Sequence, residues 1–97
     1  MAFKGCTSLA SISIPNSVTA IEDDAFTGCS SLMSITVPDS VTCIDELAFY
    51  NCVGLVSIDF KGTKAQWKAI SKGIDWNFCT GTYTVHCTDG SLSKNES

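Results

Sequence analysis

The chain has 97 residues, a formal net charge of −4, and six lysines with no arginine. A net-acidic chain without Arg lacks the basic footprint and guanidinium forks of a nucleic-acid binder. No apolar run approaches the roughly 20 residues that span a bilayer, so membrane insertion is not expected either. The charge is unevenly spread: residues 1–60 carry one Lys and seven acids, residues 61–97 five Lys and three acids.

The N-terminus has no charged segment leading into an apolar stretch, so it does not read as a signal peptide. The chain opens at Met1-Ala2-Phe3, already inside a repeat, which is expected of a fragment or of the distal end of a longer parent. A shift of 23 residues lays the sequence on itself. Ala2-Phe3 falls on Ala25-Phe26 and Ala48-Phe49. Cys6, Cys29 and Cys52 form one column, Leu9, Leu32 and Leu55 a second, Ile12, Ile35 and Ile58 a third, and Ile14, Val37 and Phe60 a fourth. Pro15 matches Pro38, Val18 matches Val41, and Ile21 matches Ile44. A fixed period of this length without insertions is the signature of stacked coils.

The first copy shows what one coil does. From Ala10 to Ile14 the residues alternate, with Ala10, Ile12 and Ile14 on one face and Ser11 and Ser13 on the other, which is the period of a half-buried strand. Pro15 ends it, because proline donates no ladder hydrogen bond. Val18 and Ile21 point inward on the return side, and Glu22-Asp23-Asp24 makes a solvated corner. Ala25-Phe26 starts the next coil, with Gly28 relaxing the turn before Cys29. One coil cannot bury its apolar face alone, so like strands must stack in parallel about 4.8 Å apart.

The pattern Ala25-Phe26, Cys29, Ser31-Leu32, Ser34-Ile35, Pro38, Ser40-Val41-Thr42 and Ile44, with Leu9, Ile12 and Ile14 as its short strand core, resembles the BspA-like leucine-rich repeat. The stretch Gly62 to Trp67, then Trp76, then Tyr83 to Gly90, is similar to the C-terminal cap of such arrays in bacterial surface proteins. The resemblance covers residues 2 to 92. It implies a β-rich leucine-rich-repeat solenoid of parallel strands, with a short α-helix and a final strand as the C-terminal cap. It also implies a secreted or cell-surface location and an adhesive or protein-binding role. No catalytic residue and no cofactor belong to the motif.

On this basis the repeats occupy residues 1–61, about two and a half coils, within a single domain. Residues 62–90 form the cap and residues 91–97 a frayed tail. Thr63-Lys64-Ala65-Gln66 reads as a capping box, which places a helix over about 64–71 that ends near Gly73. Trp67 and Ile70 share its inner face and close the open end of the core. Lys64, Lys68 and Lys72 share its outer face. Ile74 and Trp76 add apolar cover, and residues 82–87 form the final strand.

The stacked thiols of Cys6, Cys29 and Cys52 run parallel, whereas a disulfide needs Cβ atoms converging to about 3.5–4.5 Å. They read as small buried apolar groups, as does Cys43 at the position of Ala20. Cys79 and Cys87 are the one pair worth testing for a bridge. Cys79 and Cys87 with His86 match no compact zinc spacing, and the acidic corners match no calcium loop, so no metal is expected. His86 is the only histidine, and no nucleophile elbow or phosphate loop accompanies it, so no enzyme is expected.

Two functions remain. The first is a non-enzymatic protein-interaction or adhesion module whose inner sheet face, Ser11, Ser13, Ser34, Thr36, Ser57 and Asp59, meets an unknown protein partner. The alternative is a structural spacer or terminal cap of a longer array that carries another functional domain. The uncapped N-terminal edge predicts self-association, most simply a homodimer through Phe3, Leu9, Ile12 and Val18.

Overall fold

The structure, a computed structural model, describes residues 7–96. Two sheets run up the sides of the coils. The larger joins β1 (Ser11–Ser13), β3 (Ser34–Val37), β5 (Ser57–Phe60), β7 (Thr84–Cys87) and β8 (Gly90–Ser93) in the order β1-β3-β5-β7-β8. The smaller joins the two-residue strands β2 (Ala20–Ile21), β4 (Cys43–Ile44) and β6 (Ser71–Lys72). All pairings are parallel except β7 with β8. The register follows the 23-residue columns, with Ile12 beside Ile35, Ile35 beside Ile58 and Ile21 beside Ile44.

The inward columns make the core. Leu32, Leu55, Ile35, Ile58, Val37, Val41, Ile44, Cys29 and Cys52 are all at most 2 % exposed. Phe26 stacks on Phe49 with ring centroids 5.3 Å apart and planes within 2°. From Phe49 the aromatic packing runs edge-on through Trp76 (6.1 Å) and Trp67 (6.0 Å) to Phe60 (5.3 Å). Aromatic pairs of this geometry contribute about 0.5–1.5 kcal/mol each beyond area burial. That offsets one cost at the centre of the cap: the buried indole N–H of Trp67 has no acceptor.

Each coil turns its acidic corner through two left-handed residues. Asp24, Leu47 and Asp75 stack in one column with φ of 54–60°, and Gly28, Asn51 and Cys79 stack in another with φ of 60–79°. Only Gly28 adopts this region without steric cost. Leu47 is held there by the stack, in which its N–H donates to Ile74 O at 3.2 Å.

The cap is a third coil with a segment inserted. Ile21 and Ile44 pair 23 residues apart, whereas Ile44 and Lys72 pair 28 apart. The extra length lies between β5 and β6, where the earlier coils have their proline turn, and forms α1 (Lys64–Ala69). The capping box is present: Thr63 Oγ1 accepts from Gln66 N, and Gln66 Oε1 accepts from Thr63 N at 2.8 Å.

Several expectations for the cap are corrected. The helix stops at Ala69, two residues short of Ser71, because the edge of β4 draws the chain back into a ladder. The Ser71 N–H donates to Thr42 O at 3.1 Å and the Gly73 N–H to Ile44 O at 2.7 Å. Lys72 therefore leaves the helix's outer face. Its Nζ donates to Trp67 O at 2.7 Å and lies 5.0 Å from the Trp67 ring centroid, and desolvation lowers its pKa. Ile74 takes the corner position of Glu46 and is 74 % exposed, so it covers nothing, whereas Trp76 is buried. The final strand begins at Thr84 rather than at residue 82. Ala10 precedes β1 and faces solvent. The chain does not fray at Ser91. β8 places Leu92 beside Val85 and buries it, and the turn Lys94–Glu96 returns the Glu96 carboxylate to the Ser93 N–H at 2.9 Å.

Gly73 is required by close approach: a Cβ there would collide with the backbone of Asp45 and Glu46. Gly73→Ala is expected to cost about 2 kcal/mol or more in a denaturant melt, by displacing one of the stacked corners. The register has its own test. Ile35→Ser removes a buried side chain and leaves a hydroxyl in the core, costing about 3 kcal/mol or more, whereas Ser34→Ala on the opposite face costs less than about 0.5 kcal/mol. Equal losses would contradict the register.

Candidate functional site

Strand alternation that sends Ile12, Ile35 and Ile58 inward sends the intervening residues to the solvent side of the large sheet. The six residues expected at a binding face all lie there, in two rows set by the ladder. One row runs Ser11, Ser34, Ser57 and the other Ser13, Thr36, Asp59. Ser11 and Ser13 are exposed, and the other four are half-buried by their neighbours.

The rows continue past the repeats. Thr84 lies beside Ser57 and His86 beside Asp59. Across the antiparallel joint, Ser93 lies opposite Thr84 and Ser91 opposite His86. The face therefore holds ten short polar residues in a five-by-two grid, four of them missed from the sequence. Thr84 and His86 were detectable, since Tyr83, Val85 and Cys87 alternate against them. Ser91 and Ser93 were not, because β8 lies in the stretch read as tail. The face has hydroxyl groups throughout, with charge capacity only at Asp59 and His86. Along it, Ser91 Oγ lies 3.4 Å from His86 Nδ1.

Of the residues expected at the self-associating edge, Leu9, Ile12 and Val18 are partly buried against the core, and Phe3 lies outside the described residues. Ile12 and Val18 line a cavity of about 490 Å³ at this end, together with Ile14, Ile21 and Phe26.

The thiols are not a reactive centre. Cys29 and Cys52 are fully buried. Cys52 Sγ donates to Phe26 O at 3.0 Å, and burial pushes its pKa up to about 12. Cys43 is not the core residue its column suggested. It sits half-buried with Sγ donating to Asp45 Oδ1 at 2.9 Å, and that hydrogen bond raises its pKa. Burial, then the nearby Asp89, raises that of Cys87. Cys79 and Cys87 are both free, with Cys79 exposed; Cys6 lies outside the described residues. Among the described residues, no group of three or more His, Cys, Asp and Glu converges as a metal site. No helix there is long and apolar enough to cross a membrane.

A family profile described as the BspA type leucine rich repeat region, in six copies, matches residues 1–85. The chain belongs to the BspA-type leucine-rich repeat family. Among solved structures it is similar to a leucine rich cell surface protein from Faecalibacterium prausnitzii A2-165, with 53% sequence identity and a TM-score of 0.71. The match covers 72% of this chain and 18% of that one, so the chain spans a minor part of its relative's length. No curated protein matches the sequence. In this BspA-type repeat chain, the buried Cys29 and Cys52 pack the coils as core residues. Thiol labelling in the folded state is expected to reach Cys79 first and to leave Cys29 and Cys52 unlabelled. Raising the pH from 7 to 9 should not expose Cys52, because a thiol with a pKa of about 12 stays protonated throughout that range. Denaturant should expose all of them. Mass spectrometry of the labelled protein reads each site.

Proposed function

We propose that the chain is a non-enzymatic protein-interaction module of a secreted or cell-surface protein, with the hydroxyl grid of the large sheet as its ligand-facing surface. The observation that carries this reading is the grid itself. All five strands below it are tied into one ladder, so ten polar side chains are held on a rigid backbone with little ordering left to do on binding. The cell-surface relative supports the location.

Size limits the strength of this contact. Five strands about 4.8 Å apart and four residues long present a face of roughly 250 Å², against about 800 Å² per partner in a standard interface. The face also lacks the Trp, Tyr and Arg anchors that dominate binding energy. A single chain therefore binds weakly through this face, and useful avidity comes from repetition. Adhesion in the sense of holding one cell to another surface requires that multivalency. The alternative, a spacer or terminal cap of a longer array, fits the same bland face and gains from the closed C-terminal end. Self-association through Phe3, Leu9, Ile12 and Val18 is a second proposed contact.

The two readings separate in one experiment. The chain is displayed in many copies on beads and screened against a displayed library of folded extracellular domains. Each binder is then retested against Thr36→Arg with Asp59→Arg, and against Thr42→Arg on the small sheet's side. The module reading expects binders that lose about tenfold or more on the first variant and nothing on the second. Binders indifferent to both, or none at all, favour the spacer. Leu9→Lys, which places a charge beside the core edge, is expected to weaken self-association in light scattering.

A further inference from the structure

The outer side of each corner carries a column that the core does not use. The Gly28 N–H donates to Tyr50 O at 2.9 Å, and the Asn51 N–H to Phe78 O at 3.0 Å. Thr27, Tyr50 and Phe78 are therefore stacked, one residue before the left-handed column of Gly28, Asn51 and Cys79. Along the array this column changes from a hydroxyl to two aromatic rings. The rings of Tyr50 and Phe78 have centroids 6.0 Å apart and planes within 10°. Trp67 and Trp76 already fill the core of the cap, and both are buried. Tyr50 is half-buried and Phe78 is 55 % exposed, so much of the outer ring stands in water.

The same corner brings a carboxylate to these rings. The N–H groups of Thr27, Tyr50 and Phe78 donate to Asp24 O, Leu47 O and Asp75 O, three residues back, at 3.3, 3.1 and 3.2 Å. A turn of that kind eclipses side chains three apart. In the first corner the result is a contact, with Thr27 Oγ1 donating to Asp24 Oδ1 at 2.9 Å. In the last corner Asp75 takes the place of Asp24, with φ of 54° against 60°, and Phe78 takes the place of Thr27. A phenyl ring has no hydroxyl to offer. Among the described residues, the exposed Asp75 carboxylate has no hydrogen-bond or ion-pair partner. Residues 45–51 and 73–79, which make the two corners, hold Asp45, Glu46 and Asp75 and no lysine. Lys72, the nearest base along the chain, turns its Nζ inward to Trp67 O at 2.7 Å. The surface around the rings is thus apolar and negative.

We propose that the corner formed by Tyr50, Phe78 and Asp75 is a docking site for an arginine side chain carried on a segment of another protein. A cation over a ring face is attracted by the quadrupole of the ring. A guanidinium can fork onto a carboxylate at the same time. Arginine meets both demands better than lysine, because its planar, weakly hydrated head lies flat on a ring while its edge meets the acid. Ile74, next to Asp75 and 74 % exposed, gives the aliphatic stem an apolar surface. A second copy of this chain does not supply the group, since the sequence has no arginine. The three residues lie outside both sheets, so the site is separate from the hydroxyl grid and does not depend on it.

Titration of the isotope-labelled chain with the end-blocked tripeptide Gly-Arg-Gly, followed by NMR at low salt, tests the site. Millimolar peptide is expected to shift the amides of residues 46–51 and 74–79. The same peptide with citrulline in place of arginine keeps the planar shape and loses the charge, and it should leave those amides in place. Asp75→Asn keeps a residue type that tolerates a positive φ, and Phe78→Leu keeps an apolar side chain at an exposed position. Each should weaken binding of the arginine peptide about threefold, and the two together about tenfold, with the circular dichroism of the wild type. Equal responses to the arginine and citrulline peptides overturn the proposal. So do shifts confined to other parts of the chain, or a double variant that binds as the wild type does. A lysine peptide that binds as tightly overturns the choice of arginine. A stronger response to phosphocholine than to the arginine peptide assigns the corner to a lipid headgroup and overturns the protein partner. The hydroxyl grid is tested separately by the display screen, and none of these outcomes bears on it.

Discussion

Every residue in a coil must tolerate a near-copy of itself about 4.8 Å above and below, because the parallel ladders that hold the coils together allow no other register. Apolar residues satisfy this without penalty. Ile on Ile and Leu on Leu fill the core, and Phe26 on Phe49 becomes a parallel ring stack. Charged residues satisfy it poorly, which accounts for the composition of the outward strand rows. Serine and threonine can stack on themselves indefinitely. The one acid in the grid, Asp59, lies between Thr36 and His86 rather than another carboxylate. Acids are concentrated instead at the corners, where Glu22, Asp23 and Glu46 are exposed and water screens their repulsion.

The same constraint decides how the array stops. A coil that obeyed the columns throughout would leave the core open at the C-terminal end. The last coil keeps its corner, with Asp75 and Cys79 in the left-handed conformations of Asp24 and Gly28. It departs from the pattern on the other two sides. The inserted helix turns Trp67 inward, and β8 reverses direction so that the sheet ends on a strand whose Ser93 N–H is already occupied. Asn77 Nδ2 donates to the hydroxyl of the buried Tyr83 at 2.8 Å.

What the sequence made legible follows from periodicity. The columns specify β1, β3 and β5, their register and their inward faces, because an alternating strand repeated three times leaves one consistent reading. The six repeat-derived grid residues followed from that. β6 and β8 were not legible. Ser71-Lys72 has no alternation and becomes a strand only because β4 offers it an edge. Gly90–Ser93 is polar apart from Leu92 and acquires its strand from β7. The helix start was legible through its capping box, but its end was set by a tertiary pull that no local residue signals. Leu47 and Cys79 gave no hint of a positive φ, since neither residue favours it.

The inserted helix also shows where a coil accepts foreign sequence. Five residues entered between the large-sheet and small-sheet strands of the third coil without disturbing either ladder, since β5 and β6 still pair with β3 and β4 in register. The equivalent point in the second coil is the turn after Pro38, where Asp39 is exposed. A guest peptide grafted there would project from the side of the stack, between the two sheets, leaving the hydroxyl grid untouched. The fold thus contains a scaffold position whose tolerance it has already demonstrated on itself.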